Sequence, residues 1–394
     1  MSEWSERLQQ RQAAGLYRQQ AMHRGAQGRE LSTADGRMYL NFCSNDYLGL
    51  AADPAVIAAL CAGAQRYGVG AGSSHLVCGH QQIHAELENF LCQWTGRQRA
   101  LLFSSGWLAN LAVVAGLTGK GEVVLQDRLN HASLLDAVAM ANASLRRYAH
   151  ADSAAAQRQL ERRKTRLLIT DAVFSMDGDQ APLAALSALA STHAALLAVD
   201  DAHGIGVLGD QGQGWGAGFS QEEVPLLVLT FGKALGTQGA CVLGSEEMID
   251  WLTQSARPYI YTTALSPALA AATLESAQRA QQDHWRRSAL QERIRYFRTG
   301  AAALGLPLQK SATAIQPLLI GAAAKAQEIS HRLLQQGIWV TAIRPPTVPA
   351  GTSRLRITLS VAHTLQDIDR LLTALAAVWP PDDAAGSEGD AADA

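Results

Sequence analysis

The sequence predicts an α/β protein with a large domain on a mainly parallel sheet, a smaller C-terminal α/β domain and an N-terminal helical arm. Two observations carry this. From about residue 100 to 245, short apolar runs alternate with helical or turn-rich segments, as in a sheet with both faces covered. After about residue 304 a second, shorter strand and helix pattern begins, and 394 residues leave room for two domains. With 48% hydrophobic and 17% charged residues the chain can build a substantial core, which argues against global disorder.

Taken in order, residues 1–38 form the arm, with an amphipathic helical pattern over 1–30 and strand signals from Met38. The large domain is set at 39–285, with strands expected at 100–103, 122–125, 166–170, 195–199, 226–229 and 240–243. Past Pro267 the chain reads as helical to about Leu304. The small domain, 286–379, holds a strand at 315–320, a helix at 325–336, strands at 338–342 and 354–359, and a last helix. Residues 380–394 are acidic and small, the composition of a disordered tail.

Several function classes are excluded. Net charge is −2 and the 33 basic residues are spread along the chain, so no nucleic-acid footprint is expected. No apolar run approaches the ~18–20 residues of a membrane span. The polar N-terminus lacks the apolar centre of a signal peptide, so a cytoplasmic protein is expected. Cys43, Cys61, Cys78, Cys92 and Cys241 form no CxxC pair and read as buried or half-buried thiols, not as disulfides or zinc ligands.

In open α/β sheets the chemistry gathers at the carboxyl ends of strands. Three such ends stand out: Ser175 follows one apolar run, Asp200, Asp201 and His203 the next, and Thr230 and Lys233 a third. Pyridoxal 5′-phosphate (PLP) chemistry needs this set. A lysine forms an imine with the cofactor aldehyde, a carboxylate keeps the pyridine nitrogen protonated, and a histidine or hydroxyl meets the ring oxygen. Backbone amides of a Gly-rich turn hold a phosphate, and Ser104-Ser-Gly-Trp-Leu-Ala-Asn offers that turn.

Two other motifs compete. Gly204-Ile-Gly-Val-Leu-Gly matches GxGxxG, with Glu222 and Glu223 near the acidic position. A dinucleotide site needs a helix opening there, and the glycines from Gly212 to Gly218 argue against one. His75, His80 and His84 could chelate a metal, but no carboxylate or cysteine completes the set. No metal is expected, and the three are read as surface or substrate-side histidines. Arg146-Arg147 and Arg162-Arg163-Lys164 could meet an acidic carrier, against the simpler reading of solvated helix faces.

The motifs Ser44-Asn-Asp-Tyr-Leu-Gly-Leu, Ser105-Gly-Trp-Leu-Ala-Asn, Asp200-Asp-Ala-His-Gly and Thr230-Phe-Gly-Lys-Ala-Leu-Gly together resemble the α-oxoamine synthases. These are fold-type I PLP transferases that join an amino acid to an acyl thioester with loss of carbon dioxide. The likeness covers about residues 15–375. The stretch Ile343-Arg-Pro-Pro-Thr-Val-Pro-Ala-Gly-Thr-Ser-Arg-Leu-Arg-Ile-Thr-Leu-Ser is most like members that use L-alanine and a pimeloyl thioester of coenzyme A or acyl carrier protein. The resemblance implies Lys233 as the Schiff-base lysine and Asp200 as partner of the pyridine nitrogen. It places His203 and Ser175 near the ring oxygen, and His131 over the ring face as a catalytic group. Gly106, Trp107 and Thr230 would hold the phosphate, helped by Thr262 or Thr263 from a second subunit of a homodimer. Arg356 would grip the amino-acid carboxylate beside Asn45, with Arg18 and Thr347 near the acyl group. Trp107, where Phe or Tyr is common, and Ser74, often Gly, depart from the family pattern. Ser74 could alter acyl fit.

Overall fold

The computed structural model describes residues 2–13, 16–18 and 20–379. Fourteen strands fall into three sheets among these residues. The N-terminal strands are β1 (His23–Arg24), β2 (Glu30–Thr33) and β3 (Met38–Asn41). The large sheet uses β4 (Arg99–Phe103), β5 (Val123–Asp127), β6 (Ser144–Tyr148), β7 (Leu167–Asp171), β8 (Leu196–Asp200), β9 (Leu226–Thr230) and β10 (Ala240–Gly244). The C-terminal strands are β11 (Ile315–Gly321), β12 (Ile338–Trp339), β13 (Thr341–Ile343) and β14 (Ser353–Thr358).

The large sheet runs β4-β10-β9-β8-β7-β5-β6. Its pairs from β9 through β6 are all parallel, and β10 alone is reversed against both β9 and β4. Successive residues of a strand face opposite sides. Accordingly Leu168, Val199 and Leu227 enter one apolar cluster, and Ile169, Ala198 and Val228 enter a second one across the sheet. Helices Gly106–Leu117, Ala132–Met140 and Glu246–Ser255 cover that second face. Each fully buried leucine contributes roughly 1.5–3 kcal/mol, so the strand ends rest on a rigid floor.

The arm differs from expectation. Its helix spans only Glu3–Ala13, β1 lies where the helical pattern was expected, and β2 begins at its end. Gly25, at φ 80°, turns the chain after β1. The partners are non-local as well, because β3 pairs in parallel with β12, some 300 residues later in the chain. Strand β6 was also unread. Arg146 and Arg147 sit on this edge strand, not on a helix face. The single helical run after Pro267 is two helices, Pro267–Gln282 and His284–Ala303, joined at Asp283, whose carboxylate accepts from Arg286 Nε at 3.0 Å. The expected strand at 338–342 is split between β12 and β13, which belong to different sheets. The acidic tail 380–394 lies outside the described residues.

None of the five cysteines is paired; Cys241 is buried and Cys43 and Cys92 half-buried, as read, while Cys61 and Cys78 are exposed. Among the described residues no helix is long and apolar enough to cross a membrane.

Candidate active site

Parallel neighbours deliver their C-terminal residues to one edge. In register, Asp171 of β7 lies beside Asp200 of β8, and Thr230 ends β9, three residues before Lys233. A cavity of about 320 Å³ opens there, and Lys233, Asp200, Asp171, His203, His131 and Thr230 reach it together with Gly106 and Trp107. An adjoining lobe of about 320 Å³ shares Asn45, His131, Ser175, His203 and Lys233, and adds Arg356.

Each side chain is fixed by named partners. Lys233 Nζ donates to Thr230 Oγ1 at 3.3 Å. Burial, outweighing the nearby Asp200 and Asp171 charges, lowers its amine pKa, which favours the uncharged nucleophile. Asp200 Oδ2 accepts from Asn110 Nδ2 at 2.7 Å, and Oδ1 accepts from the Ala202 amide at 3.0 Å. His203 Nδ1 and the Tyr47 hydroxyl are 2.7 Å apart. Burial first, and then the charges of Lys233 and Arg356, hold His203 well below its ordinary range, so it is a neutral imidazole. His131 caps the helix Ala132–Met140, its Nδ1 2.8 Å from Ser133 Oγ, and meets Trp107 edge-on. Desolvation lowers its pKa as well.

Arg356 of β14 reaches the cavity from the small sheet. Its guanidinium donates to the Ser175 carbonyl at 2.6 Å, Thr358 Oγ1 at 3.0 Å and Asn45 Oδ1 at 3.1 Å. Only 7% exposed, it has no carboxylate partner among the described residues. A buried cation without a counter-charge is costly, and a substrate carboxylate supplies one. Arg18 donates to Thr347 Oγ1 at 3.4 Å, and neither residue lines the cavity or its adjoining lobe. Thr262 and Thr263 do not line the cavity within one chain. Thr263 is exposed and bridges to Ser74.

Sequence reasoning missed Asp171, Asn110 and Tyr47 as site residues. Asp171 is buried, and its carboxylate accepts from the His131 amide at 3.0 Å. Burial and then the adjacent Asp200 charge push its pKa well up. Its signal was available: it is the last residue of an apolar run, as Asp200 is.

The competing motifs resolve differently. No α-helix opens at Gly204: residues 202–215 are turns, bends and irregular chain, followed only by a single 3-10 turn at Gly216–Gly218. A Cβ on Gly204 would lie 2.0 Å from Asp201 Oδ1, and one on Gly214 2.4 Å from Oδ2. These glycines therefore let the loop wrap a buried carboxylate, whose Oδ2 accepts from the Gly216 amide at 2.8 Å. His75 and His84 are buried, not surface residues. His84 uses both ring nitrogens, on the Gln81 amide and the Leu265 carbonyl, which leaves none for a metal.

The set fits PLP. A Cβ on Gly106 would meet Thr230 Cγ2 at 2.5 Å, so only glycine opens the first turn of the helix Gly106–Leu117, where free amides suit a phosphate. A fixed carboxylate, a neutral imidazole and a desolvated amine face one space.

Residues 37–375 match the family "Aminotransferase class I and II". The chain is similar to an 8-amino-7-oxononanoate synthase of Pseudomonas aeruginosa, at 54% identity over 95% of this chain and 94% of the relative. A serine palmitoyltransferase variant from S. paucimobilis, solved with PLP and myriocin bound, superposes with TM-score 0.89 at 29% identity over 95% of this chain and 96% of that one. For an 8-amino-7-oxononanoate synthase from Francisella tularensis the TM-score is 0.77 at 30% identity, over 86% and 97% of the two chains. With a lysine, a carboxylate and a glycine-opened helix at the ends of its parallel strands, the chain belongs to the aminotransferase class I and II family, on the branch that holds the 8-amino-7-oxononanoate synthases.

Proposed function

We propose that the chain condenses L-alanine with a pimeloyl thioester, releasing carbon dioxide and the free thiol and giving 8-amino-7-oxononanoate, a step in biotin biosynthesis. The carrying observation is the buried Arg356 guanidinium, without a carboxylate partner among the described residues, facing the same space as Lys233. Names of relatives at 54% identity support the same reading.

PLP, held by Lys233 and by the amides at Gly106 and Trp107, supplies the electron sink for charge that develops at the amino-acid Cα. The chain's own residues do the rest. Arg356 takes the alanine carboxylate in a two-pronged grip, and Asn45, bonded to it, sets its orientation. Lys233, lowered by burial, accepts the Cα proton as general base and returns it after carbon dioxide leaves. Asp200, steadied by Asn110, keeps a proton on the pyridine nitrogen. Neutral His203, oriented by Tyr47, donates toward the ring oxygen, with Ser175 alongside. His131 donates toward the acyl carbonyl as negative charge develops there. Thr262 and Thr263, which lie outside this chain's own cavity, would come from a second copy to complete the phosphate site in a homodimer. Arg18 and Thr347 border the acyl chain.

The test is a product assay by mass spectrometry. Holoenzyme receives L-alanine with a pimeloyl thioester, and separately glycine with an acetyl thioester. The mass of 8-amino-7-oxononanoate in the first tube alone is expected. Product only in the second would move the chain to glycine acetyl transfer.

A further inference from the structure

A larger cavity, about 700 Å³, opens beside the catalytic one and shares His131 and Ser175 with it. One wall is the chain after β5 and β7, and the other is residues 345–350. Three guanidiniums line it. Arg354 is spoken for by Asp177, which is the one carboxylate among the described lining residues. Arg128 and Arg147 are exposed and form no ion pair among the described residues. The Arg147 guanidinium donates to the Arg128 carbonyl, which holds both residues on one rim. Below that rim the walls are apolar, with Leu129, Leu135 and Val348.

The chain as a whole is slightly acidic, at −2, so two uncompensated cations at this mouth are a local feature. They call for a ligand with a thin, weakly polar arm and an anionic far end. We propose that Arg128 and Arg147 hold the phosphate of the pantetheine arm that carries the acyl group. Coenzyme A and the prosthetic arm of a carrier protein share this phosphate. The planar fork of arginine suits phosphate oxygens. The inference rests on the thioester reading above and adds how the donor is gripped.

The test compares wild type with Arg128→Gln and Arg147→Gln, each loaded with PLP. At saturating L-alanine, four pimeloyl donors are used: pantetheine 4′-phosphate, pantetheine without phosphate, coenzyme A and acyl carrier protein. Each variant is expected to raise KM about tenfold for the three phosphate-bearing donors, the lower range for a hydrogen bond to a charged group. KM for the phosphate-free donor and all kcat values should move less than about twofold. Equal loss with the phosphate-free donor, or no loss with any donor, overturns the proposal. So does loss confined to the carrier protein, which would mean recognition of its surface, or to coenzyme A, which would mean its nucleotide. A second arm measures binding of pantetheine 4′-phosphate by calorimetry, with about a tenfold weaker Kd expected in each variant. If that weakening appears while wild type makes no product from any pimeloyl donor, the phosphate site stands and the functional reading has failed.

Discussion

Two pairs of carboxylates sit at strand ends of the same sheet, and they serve opposite purposes. Asp127 of β5 and Asp179, after β7, close on His150, with contacts of 3.0 Å to Nδ1 and 2.8 Å to Nε2. Asp127 also accepts from the Leu129 and Ala151 amides, at 2.8 Å each. These carboxylate bonds outweigh burial, and the imidazole is pushed up to about 10. Asp171 of the neighbouring β7 and Asp200 of β8 instead line the open cavity that Lys233 also reaches. A cation bonded on both sides holds two loops together. An amine left lightly bonded, its pKa lowered by burial, is free to react.

The comparison breaks most sharply at Lys233. Lys233→Ala should lower turnover by about 10³-fold or more, at the upper part of what a positioned base contributes, while circular dichroism stays native. The two neighbouring acids should then part company. Asp200→Asn should slow exchange of the alanine Cα proton by about 10²–10³-fold, because the pyridine nitrogen loses its anionic partner. Asp171→Asn should cost less than about tenfold, since burial and the Asp200 charge already raise the Asp171 pKa and favour its neutral form. Equal effects would erase the distinction between them. Next, Arg356→Lys should raise KM for L-alanine about 10–100-fold with a smaller change in kcat, reflecting the lost bidentate contact.

The smallest effect belongs to the His150 strut. Its pKa is raised in the folded state, so its stabilisation is fully present below the ordinary imidazole value near 6.5 and fades as pH rises through about 10. Wild type and His150→Asn should therefore differ in thermal midpoint at pH 6, by about 1–3 kcal/mol of stability, and converge near pH 10.5. A constant gap across that range would contradict a charged strut.

What could be read from the sequence follows from the same physics. Strands β5 and β7 to β10 were legible because central strands are apolar on both faces, and β4, although at an edge, is apolar and buried from Ala100 to Phe103. Strand β6 was not: at the edge its residues alternate, Leu145 and Arg147 facing solvent while Tyr148 is buried. Lys233, Asp200 and His203 were legible as polar residues closing apolar runs. Asp171 escaped attention because Ser175 drew the reading four residues further on. Tyr47 and Asn110 take their roles from contacts with His203 and Asp200, 156 and 90 residues away, which no local spacing encodes. Likewise the bond from Arg356 to Asn45 spans 311 residues. His75 and His84, unlike the exposed His80, were misplaced because their burial depends on Tyr259 stacking on His75 and on the Leu265 carbonyl meeting His84.

The central claim, that this sheet edge builds a PLP site on Lys233, has a direct test. Protein incubated with PLP is reduced with borohydride, digested, and searched by mass spectrometry for the phosphopyridoxyl group. The account predicts the label on the peptide that contains Lys233, and its loss in Lys233→Ala. A label on another lysine, or none in protein that remains folded, would contradict it.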